Sequence, residues 1–337
     1  MSGRPDAVPP GGPFFIVGTE RSGSNLLRLV LNAHSRLFVP HPPHVMNFFR
    51  PLAPSYGNFY EMADDVARLV AWHSYPWDVA PSGIDLVRRA PERTLFGLYA
   101  AAHELYLAQV GKARWGCKST FMIHEAQAIF RVYPDARLIF LTRDPRDVAV
   151  SARKSVFHFF HPYFVALRWR DEMRLGISLL DSGRAQVIRY EDLLAAPEDQ
   201  VRRLCAFLGE GFEDRMLRFF ESPEARKSAS LCADWRNTDA AILRDNFKKY
   251  ERELGGQEVA LVETVCAVEM ARLGYPTVAA PVPLPDAWRV RWYRVLDFLQ
   301  RMPVEWKSFR GDRNWWLRLR KNAFVGWLRI KASMKGG

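Results

Sequence analysis

The chain has few features that would tie it to an oxidising compartment or a bilayer. It contains only four cysteines in 337 residues, and no two of them stand at the spacing of a metal site or a redox motif. We expect Cys117, Cys205, Cys232 and Cys266 to be packing cysteines in a reducing compartment. No apolar run is long enough to span a bilayer, and residues 1–12 lack the apolar segment of a secretory signal. These absences favour a cytoplasmic protein that begins with a short flexible segment.

Positive charge is concentrated at the C-terminal end. The whole chain has a formal net charge of +11, and residues 282–337 contain thirteen Lys or Arg against four Asp or Glu, a net charge of +9. Six of the eleven tryptophans fall in the same segment. The rest of the chain is nearly balanced in charge, and a hydrophobic content of 48% is ample for a substantial core.

Residues 13–32 predict a strand, a glycine-bearing turn and a helix in succession. The apolar run 14–17 suits a buried parallel strand, and leucine and valine recur at helical spacing after the turn. Gly18 and Gly23 let the backbone approach an oxyanion closely, and the amides at a helix start favour negative charge. Further donors come from the side chains of Arg21, Ser22, Ser24 and Asn25. The turn indicates phosphate or sulfate binding, although an ordinary strand-to-helix turn is the alternative.

The spacing of this turn resembles a Walker A loop but lacks its magnesium machinery. Four residues separate Gly18 from Gly23, and a nucleoside triphosphatase would continue with Lys and then Ser or Thr. This chain has Ser24 and Asn25 there. We therefore expect an anion loop that works without a metal ion, and a nucleotide kinase or triphosphatase is the weaker alternative.

Four more apolar segments predict strands, and the helical segments between them predict an α/β domain with a parallel sheet. The strands are expected at residues 36–40, 113–120, 136–142 and 186–190. Helices are expected at residues 123–132, 197–208 and 257–272 and over most of 57–110 apart from 74–81, with 211–250 irregular. We interpret the segment 57–110 as a cap or a substrate-facing insertion.

Arg143 marks a second candidate anion site. It ends the strand 136–142, and the carboxyl ends of strands in open α/β sheets are where ligands bind. Asp144 is expected to cap the helix that follows, with Pro145 in its first turn and Ser151 further along. The alternative is that Arg143 forms a surface ion pair with Asp144 or Asp147.

With these motifs in hand, the chain resembles the sulfotransferases that use 3′-phosphoadenosine 5′-phosphosulfate (PAPS). The resemblance spans about residues 14–276, and its version of the first loop is closest to the bacterial and glycan-type enzymes. It rests on GTERSGSNLL, WGCKST, LIFLTRDPRDVAVS, VIRYEDLL and LGYP, in that order. The resemblance implies a P-loop-like parallel β-sheet flanked by helices over residues 13–280, with PAPS as donor, PAP as product and no metal.

The resemblance also implies roles for single residues. Arg143 and Ser151 would hold the 3′-phosphate, and Tyr190 would lie beside the adenine. The residues that would hold the 5′-phosphosulfate are Arg21, Ser22, Gly23, Ser24 and Asn25. Lys118 and Arg21 would stabilise the charge that builds on the departing oxygen. A solvated strand-end lysine is the alternative for Lys118.

A general base for the acceptor stays open among several residues. The family usually has a glutamate or a histidine as the base, and its glycan-type members often keep a glutamate just after the second strand. This chain departs from that pattern, since it has His41 and His44 there. Histidine suits base work near neutral pH. We favour His41 and then His44, and either of them could simply pack the loop. His124 is a distant candidate, and Glu20 would serve only to orient Arg21 or take the proton.

Residues 281–337 lie beyond the resemblance and predict a basic, tryptophan-rich helical tail. Trp288, Trp292 and Leu296 fall at helical spacing, Pro303 is expected to break the pattern, and residues 314–331 form a second amphipathic segment. Such helices suit the surface of an anionic bilayer. The alternative is that the tryptophans pack against the body of the protein, and no nucleic-acid fold supports a nucleic-acid partner.

The sequence therefore predicts a sulfotransferase that moves a sulfuryl group from PAPS to a hydroxyl, or an amine, of a glycan, lipid or secondary metabolite. It would reside in the cytoplasm, and the tail would attach it to the inner face of a membrane. A non-catalytic adaptor that docks through the tail is the alternative from another functional class.

Overall fold

The computed structural model describes residues 11–73, 75, 77–155, 159–180, 182–230, 235 and 238–335, and it contains a five-stranded sheet. The strands are β1 (Phe14–Gly18), β2 (Leu37–Phe38), β3 (Arg114–Lys118), β4 (Arg137–Thr142) and β5 (Ala185–Arg189). Their order is β2-β3-β1-β4-β5, and every pairing is parallel. The predicted α/β fold with a parallel sheet is confirmed. Residues 1–10 and Cys232 lie outside the described residues.

Helices cover both faces of this sheet because its central strands are apolar on both sides. Phe15 and Val17 pack into one core cluster, whereas Phe14 and Ile16 pack into the other. The alternation follows from the two-residue period of a strand, which turns successive side chains to opposite faces. All five residues of β1 are buried, so the strand that precedes the anion loop lies at the centre of the fold.

The helices leave the loops at the carboxyl ends of the strands free to form a site. Those before β4 are α1 (Ser24–Asn32), α2 (Val45–Phe49), α3 (Phe59–Ala71), α4 (Gly83–Arg89), α5 (Leu95–Val110) and α6 (Ala126–Val132). Those after β4 are α7 (Pro145–Ala152), α8 (Pro162–Leu180), α9 (Tyr190–Ala195), α10 (Pro197–Leu208), α11 (Pro223–Ala229), α12 (Tyr250–Glu253), α13 (Gly256–Arg272), α14 (Ala287–Gly311) and α15 (Trp315–Lys335). Short 3₁₀ turns occur at Ala53–Ser55, Thr120–Glu125, Asp214–Met216 and Phe219–Glu221.

Several local predictions are correct and others need correction. Helix α10 has the predicted bounds, and the Asp144 carboxylate caps α7 by accepting from the Arg146 amide. Strand β2 is shorter than the predicted 36–40. Tyr190 is the first residue of α9 instead of the last of a strand, and the first part of the predicted helix 123–132 is the 3₁₀ turn that precedes α6.

Pro303 does not end the first tail helix, contrary to the prediction. Helix α14 runs through it for 25 residues. A proline removes the hydrogen bond to the carbonyl four residues earlier. That carbonyl belongs to Leu299, which lies on an exposed part of the helix and is 51% accessible. The helix therefore loses one hydrogen bond at a residue that is open to solvent.

The two tail helices combine a packed face with an exposed aromatic surface. Phe324, Val325 and Leu328 of α15 belong to the main core cluster. Most tail tryptophans, by contrast, are exposed, and Trp288, at 71%, is the most accessible of them. The predicted boundary at residue 281 falls in the segment without helix or strand between α13 and α14. Within the described residues, no helix is both long and apolar enough to cross a bilayer.

Candidate active site

The loop between β1 and α1 has the tight backbone that its glycines predict. Gly18 has φ 136°, and a Cβ there would overlap the carbonyl oxygen of Leu141 on the neighbouring strand. Gly23 has φ 88° and stands at the N-cap of α1, where no side chain caps the free amides. Arg21 itself adopts a positive φ of 68°. The loop thus presents uncapped amides and cationic or hydroxyl side chains at the carboxyl end of the central strand.

Ser22, a residue of this loop, has a hydroxyl without a hydrogen-bond partner among the described residues. Its side chain is fully buried. Buried polar groups are nearly always paired, so the unpaired hydroxyl of Ser22 is an exception. Ser22 does not line the cavity described below, whereas its neighbours Arg21, Gly23, Ser24 and Asn25 do.

Arg21, Arg143 and Ser151 form one connected group. The Arg21 Nε donates to Ser151 Oγ at 3.0 Å, and the Arg143 Nη1 donates to the Arg21 carbonyl at 3.1 Å. The Arg143 Nη2 donates to the carbonyl of Asn246 at 3.1 Å and lies 3.5 Å from Asp147 Oδ2. Arg143 therefore does form the ion pair with Asp147 that the alternative prediction named. It is buried instead of superficial, and the Arg143 Nε has no hydrogen-bond partner among the described residues.

Tyr190 closes this group from the side of β5. Its ring lies 4.5 Å from the Arg143 guanidinium, and its hydroxyl accepts from Asn246 Nδ2 at 2.7 Å. A Cβ on Gly23 would come within 2.5 Å of the ring atom Cε2. The absence of a side chain at Gly23 thus allows the first loop and Tyr190 to pack together.

A single cavity of about 510 Å³ joins these groups to the candidate catalytic residues. Its walls come from the ends of β1, β3, β4 and β5 and from loops and helices around them. The predicted residues that line it are Arg21, Gly23, Ser24, Asn25, His41, His44, Lys118, Arg143, Ser151 and Tyr190. Residues separated by up to 169 positions in sequence therefore share one space, as expected for the carboxyl edge of a parallel sheet.

Lys118, the last residue of β3, lines the cavity, and its amine has a lowered pKa. Burial, together with the positive charge of Arg28, lowers the pKa of its amine to about 8. Nearby Glu20 acts in the opposite direction. Lys118 is partly buried and lines the cavity, which differs from the surroundings of a solvated strand-end lysine.

The two predicted histidines lie next to each other, and a third histidine joins them. The ring of His41 lies 6.3 Å from that of His44 and 5.6 Å from that of His73. Burial lowers the pKa of all three, and the Lys118 ammonium lowers it further. The pKa of His73 falls to about 3. These imidazoles are therefore neutral at neutral pH, which is the state that accepts a proton.

His41 is held by stacking and leaves both ring nitrogens unused. Its ring stacks on Tyr75 at 4.6 Å and contacts Trp235 at 4.8 Å. The Trp77 Nε1 donates to its backbone carbonyl at 2.7 Å, which fixes the loop. Neither Nδ1 nor Nε2 has a hydrogen-bond partner among the described residues. A buried imidazole of this kind is available to a hydroxyl of a bound molecule.

Glu20 and His124 occupy different surroundings. Glu20 lines the cavity and forms an ion pair of 2.6 Å with Arg168, which also contacts Glu172 at 3.0 Å. The position of Glu20 thus gives it a cationic partner inside the site. His124 does not line the cavity and packs against Phe121, with their rings 5.1 Å apart.

Comparison with known proteins identifies the fold and the family. The family model described as Sulfotransferase family matches residues 13–214. The chain belongs to the sulfotransferase family. Its fold is also that of the sulfotransferase domain from the Synechococcus PCC 7002 olefin synthase, at a TM-score of 0.51 and 20% identity, which covers 78% of this chain and 98% of that one. The sulfotransferase domain from the curacin biosynthetic pathway gives a TM-score of 0.54 and 19% identity over 80% and 99% of the two chains.

Curated relatives of this sulfotransferase family member are distant in sequence. An uncharacterised protein of Aquifex aeolicus is 26% identical over 71% of this chain but only 30% of its own length. Protein-tyrosine sulfotransferase 2 of Gallus gallus is 24% identical over 79% of this chain and 70% of its own. The chain thus spans under a third of the Aquifex protein and about two thirds of the chicken enzyme. The family match ends at residue 214, earlier than the predicted resemblance to residue 276.

Three residues that line the cavity of this family member were not predicted from the sequence. His73 follows α3, Trp235 lies in the segment predicted as irregular, and Lys321 belongs to the tail. No local pattern marks His73 or Trp235. Lys321 carried a detectable signal, because it shares a helical face with the apolar residues Phe324, Val325 and Leu328, where a cation is out of place.

Proposed function

We propose that this sulfotransferase transfers the sulfuryl group of PAPS to a hydroxyl of an amphiphilic acceptor, a lipid or a lipid-linked glycan or metabolite. The observation that carries the proposal is the convergence of both anion-binding groups, Lys118 and the histidines on one cavity. The cationic and hydroxyl donors suit the anionic groups of PAPS, and the neutral imidazoles suit proton removal. An amine is a second acceptor class, and it would need the same base.

The donor end of the cavity fits PAPS by the chemistry of its groups. The uncapped amides of α1 and the orphaned Ser22 hydroxyl offer donors to the 5′-phosphosulfate, together with Arg21, Ser24 and Asn25. The Arg143 Nε has no hydrogen-bond partner among the described residues. Arg21 contacts both Arg143 and Ser151, so these two side chains lie close enough to bind the 3′-phosphate together. The Tyr190 ring provides an apolar face for the adenine.

The transfer itself needs stabilisation of a departing oxygen and removal of one proton. Bound PAPS supplies the activated sulfuryl group, which moves to the acceptor oxygen as its bond to the 5′-phosphate oxygen breaks. The protonated Lys118 and Arg21 stabilise the negative charge on that oxygen. The acceptor proton passes to a neutral imidazole, for which we propose His41 first because both of its nitrogens are unused, and His44 second.

Binding of the donor product provides the first test. Calorimetric titration of adenosine 3′,5′-bisphosphate without magnesium should show binding, and Arg143→Ala should weaken it at least tenfold. Arg153→Ala is the matched control, because Arg153 pairs with Glu258 nearby and does not line the cavity. Its affinity should equal that of the native protein.

Two results would overturn this assignment. If adenosine 3′,5′-bisphosphate does not bind to the native protein, the assignment of the donor site is wrong. Binding of ATP that requires magnesium would favour the kinase alternative, although the loop lacks the Lys-Ser/Thr pair that such enzymes use. Donor binding without turnover of any acceptor would favour the adaptor alternative.

The tail supports a peripheral membrane attachment, which we propose as the route to an amphiphilic acceptor. Exposed tryptophans such as Trp306 and Trp316 (63% and 66% accessible) alternate with arginines along α14 and α15. Aromatic side chains at the headgroup level and cations facing anionic lipids together stabilise binding to a bilayer surface. The proposed location is the cytoplasmic face of a membrane.

Point substitutions test the membrane attachment better than truncation. Removal of the whole tail would uncover the core residues Phe324, Val325 and Leu328. The triple variant Trp288→Gln, Trp306→Gln and Trp316→Gln leaves them in place. It should lose most of its co-sedimentation with vesicles of anionic phospholipid, while binding PAP like the native protein. Undiminished sedimentation of the variant would refute the attachment.

A further inference from the structure

Helix α15 directs the positively charged side chain of Lys321 towards the body of the protein. Lys321, Phe324, Val325 and Leu328 follow one another at intervals of three, one and three residues, which puts them on the same side of a helix. The three apolar residues pack into the main core cluster. Lys321 therefore points in the same direction as a buried face, towards the body of the protein instead of solvent.

The Lys321 side chain ends in the cavity. Only 7% of the residue is accessible, it lines the same cavity as His44 and His73, and its Nζ lies 4.6 Å from the centre of the Phe48 ring. The charge of Lys321 lowers the pKa of both histidines, which shows how close they are. The amine thus lies at the part of the cavity that His44, His73 and Phe48 line.

None of the described acidic residues forms an ion pair with this amine. In the described part of the chain, the Lys321 Nζ instead lies over the ring of Phe48. Arg318, one turn earlier, adds further positive charge and uses its own partner Glu305 at 2.9 Å. Burial and the Arg318 guanidinium lower the pKa of Lys321 to about 8. A buried cation without a counter-ion is costly, so an anion from outside the chain would find a prepared partner.

Other polar groups at this end also lack partners. The Asn47 Oδ1 and the His73 Nε2 are buried and have no hydrogen-bond partner among the described residues. Both residues line the cavity. The carboxylate Glu20 in the same cavity is engaged by Arg168. The Lys321 amine, the Asn47 Oδ1 and the His73 Nε2 are therefore available to a ligand. A cation beside neutral polar atoms suits an acceptor that carries an anionic group near its hydroxyl.

We propose that Lys321 binds an anionic group of the acceptor, a carboxylate or a phosphate, and so selects negatively charged acceptors. The inference rests on the proposed function, since it presumes that the donor fills the Arg21 and Arg143 end. It makes α15 a part of the acceptor site. The helix that carries the exposed tryptophans would then also hold the headgroup or acidic group of the molecule that is sulfated.

A pair of small probes tests the charge preference directly. 4-Hydroxyphenylacetate and 4-hydroxyphenylacetamide share a phenolic hydroxyl and differ only in charge. With the full chain saturated with PAP, calorimetry should show that the carboxylate binds at least tenfold more tightly than the amide. Lys321→Met, which keeps the packing against Phe48, should abolish the difference. Lys321→Arg should keep it in part. Lys307→Met, which removes an exposed tail lysine, is the matched control and should behave like the native protein.

The outcomes separate this inference from the proposed function. Failure of PAP to bind would overturn the proposed function itself. Normal PAP binding with equal affinity for the two probes, or with no binding of either, would overturn the role of Lys321 alone. A preference for the carboxylate that survives Lys321→Met would assign the anion to another residue and would also refute the inference. Weaker PAP binding in Lys321→Met would mean that Lys321 serves the donor instead.

Discussion

The contact between Gly23 and Tyr190 leads to a prediction that a single methyl group can test. Gly23 has φ 88°, a conformation that costs an alanine about 1–2 kcal/mol. In addition, its new Cβ would lie within 2.5 Å of Tyr190 Cε2, where ordinary contacts begin near 3.4 Å. The buried ring must therefore retreat by roughly 1 Å, and overpacking of this kind costs about 1–3 kcal/mol. Gly23→Ala should lower the free energy of unfolding by about 2–5 kcal/mol.

Gly111 provides a control that separates the two costs. It has φ 69°, and a Cβ there would meet no atom within 4 Å. Gly111→Ala should therefore lose only the backbone contribution of about 1–2 kcal/mol. Urea unfolding followed by circular dichroism gives both values under the same conditions. Adding Tyr190→Ala to Gly23→Ala should remove the steric part of the cost, which a double-mutant cycle would show as a coupling of about 1–3 kcal/mol.

The same substitution should weaken donor binding. The Tyr190 ring contacts the Arg143 guanidinium at 4.5 Å, so a displaced ring disturbs the group proposed for the 3′-phosphate. We expect Gly23→Ala to reduce PAP affinity at least tenfold, about 1.4 kcal/mol, and Gly111→Ala to leave it unchanged. If Gly23→Ala proved no more damaging than Gly111→Ala in both measurements, the packing of the loop against Tyr190 would be refuted as a requirement of the site.

Three further predictions concern buried polar groups. Ser22→Ala should leave the free energy of unfolding within about 0.5 kcal/mol of the native value, because the hydroxyl has no hydrogen-bond partner among the described residues. The same substitution should reduce PAP affinity several-fold. A large loss of stability would contradict this prediction. Lys118 is proposed to act while protonated, so kcat/KM for PAPS at saturating acceptor should fall as the pH rises through about 8, and Lys118→Arg should remove that basic limb. Burial holds the pKa of His73 near 3 and that of His103 near 4, below the 6.5 of the unfolded chain. Stability should therefore fall as the pH drops below 6.5, by about 1.4 kcal/mol per histidine at pH 5.5, and His103→Gln should reduce that slope in pH-dependent urea unfolding.

The local order of the chain was readable from its residues. The buried strands, the glycine turn and the Asp144 cap each depend on neighbours within a few positions, so short patterns encode them. The family followed because several such patterns occur in the right order. The same reasoning placed Arg143 and Ser151 near the first loop, since adjacent parallel strands end at one edge.

Local patterns failed where distant segments decide the outcome. Pro303 signals a helix end, but an exposed helix continues through it. The tail carries aromatic and basic residues on all sides, so its pattern could not show whether the tryptophans pack inward. The structure leaves most of them exposed and packs a different set, Phe324, Val325 and Leu328, into the core.

The sequence by itself thus determined the strand–turn–helix units, the type of anion loop and the family, because these are properties of contiguous residues. Only the tertiary structure decided which side chains share the cavity. His73 and Trp235 come from segments whose local patterns say nothing about a site, and the pattern around Lys321 marks a misplaced cation but not the cavity that it enters. The burial and the lowered pKa values of His73 and Lys321 arise from packing across the sheet and from the docking of α15. Chemistry that depends on convergence and on low solvent exposure exists only once the chain is folded.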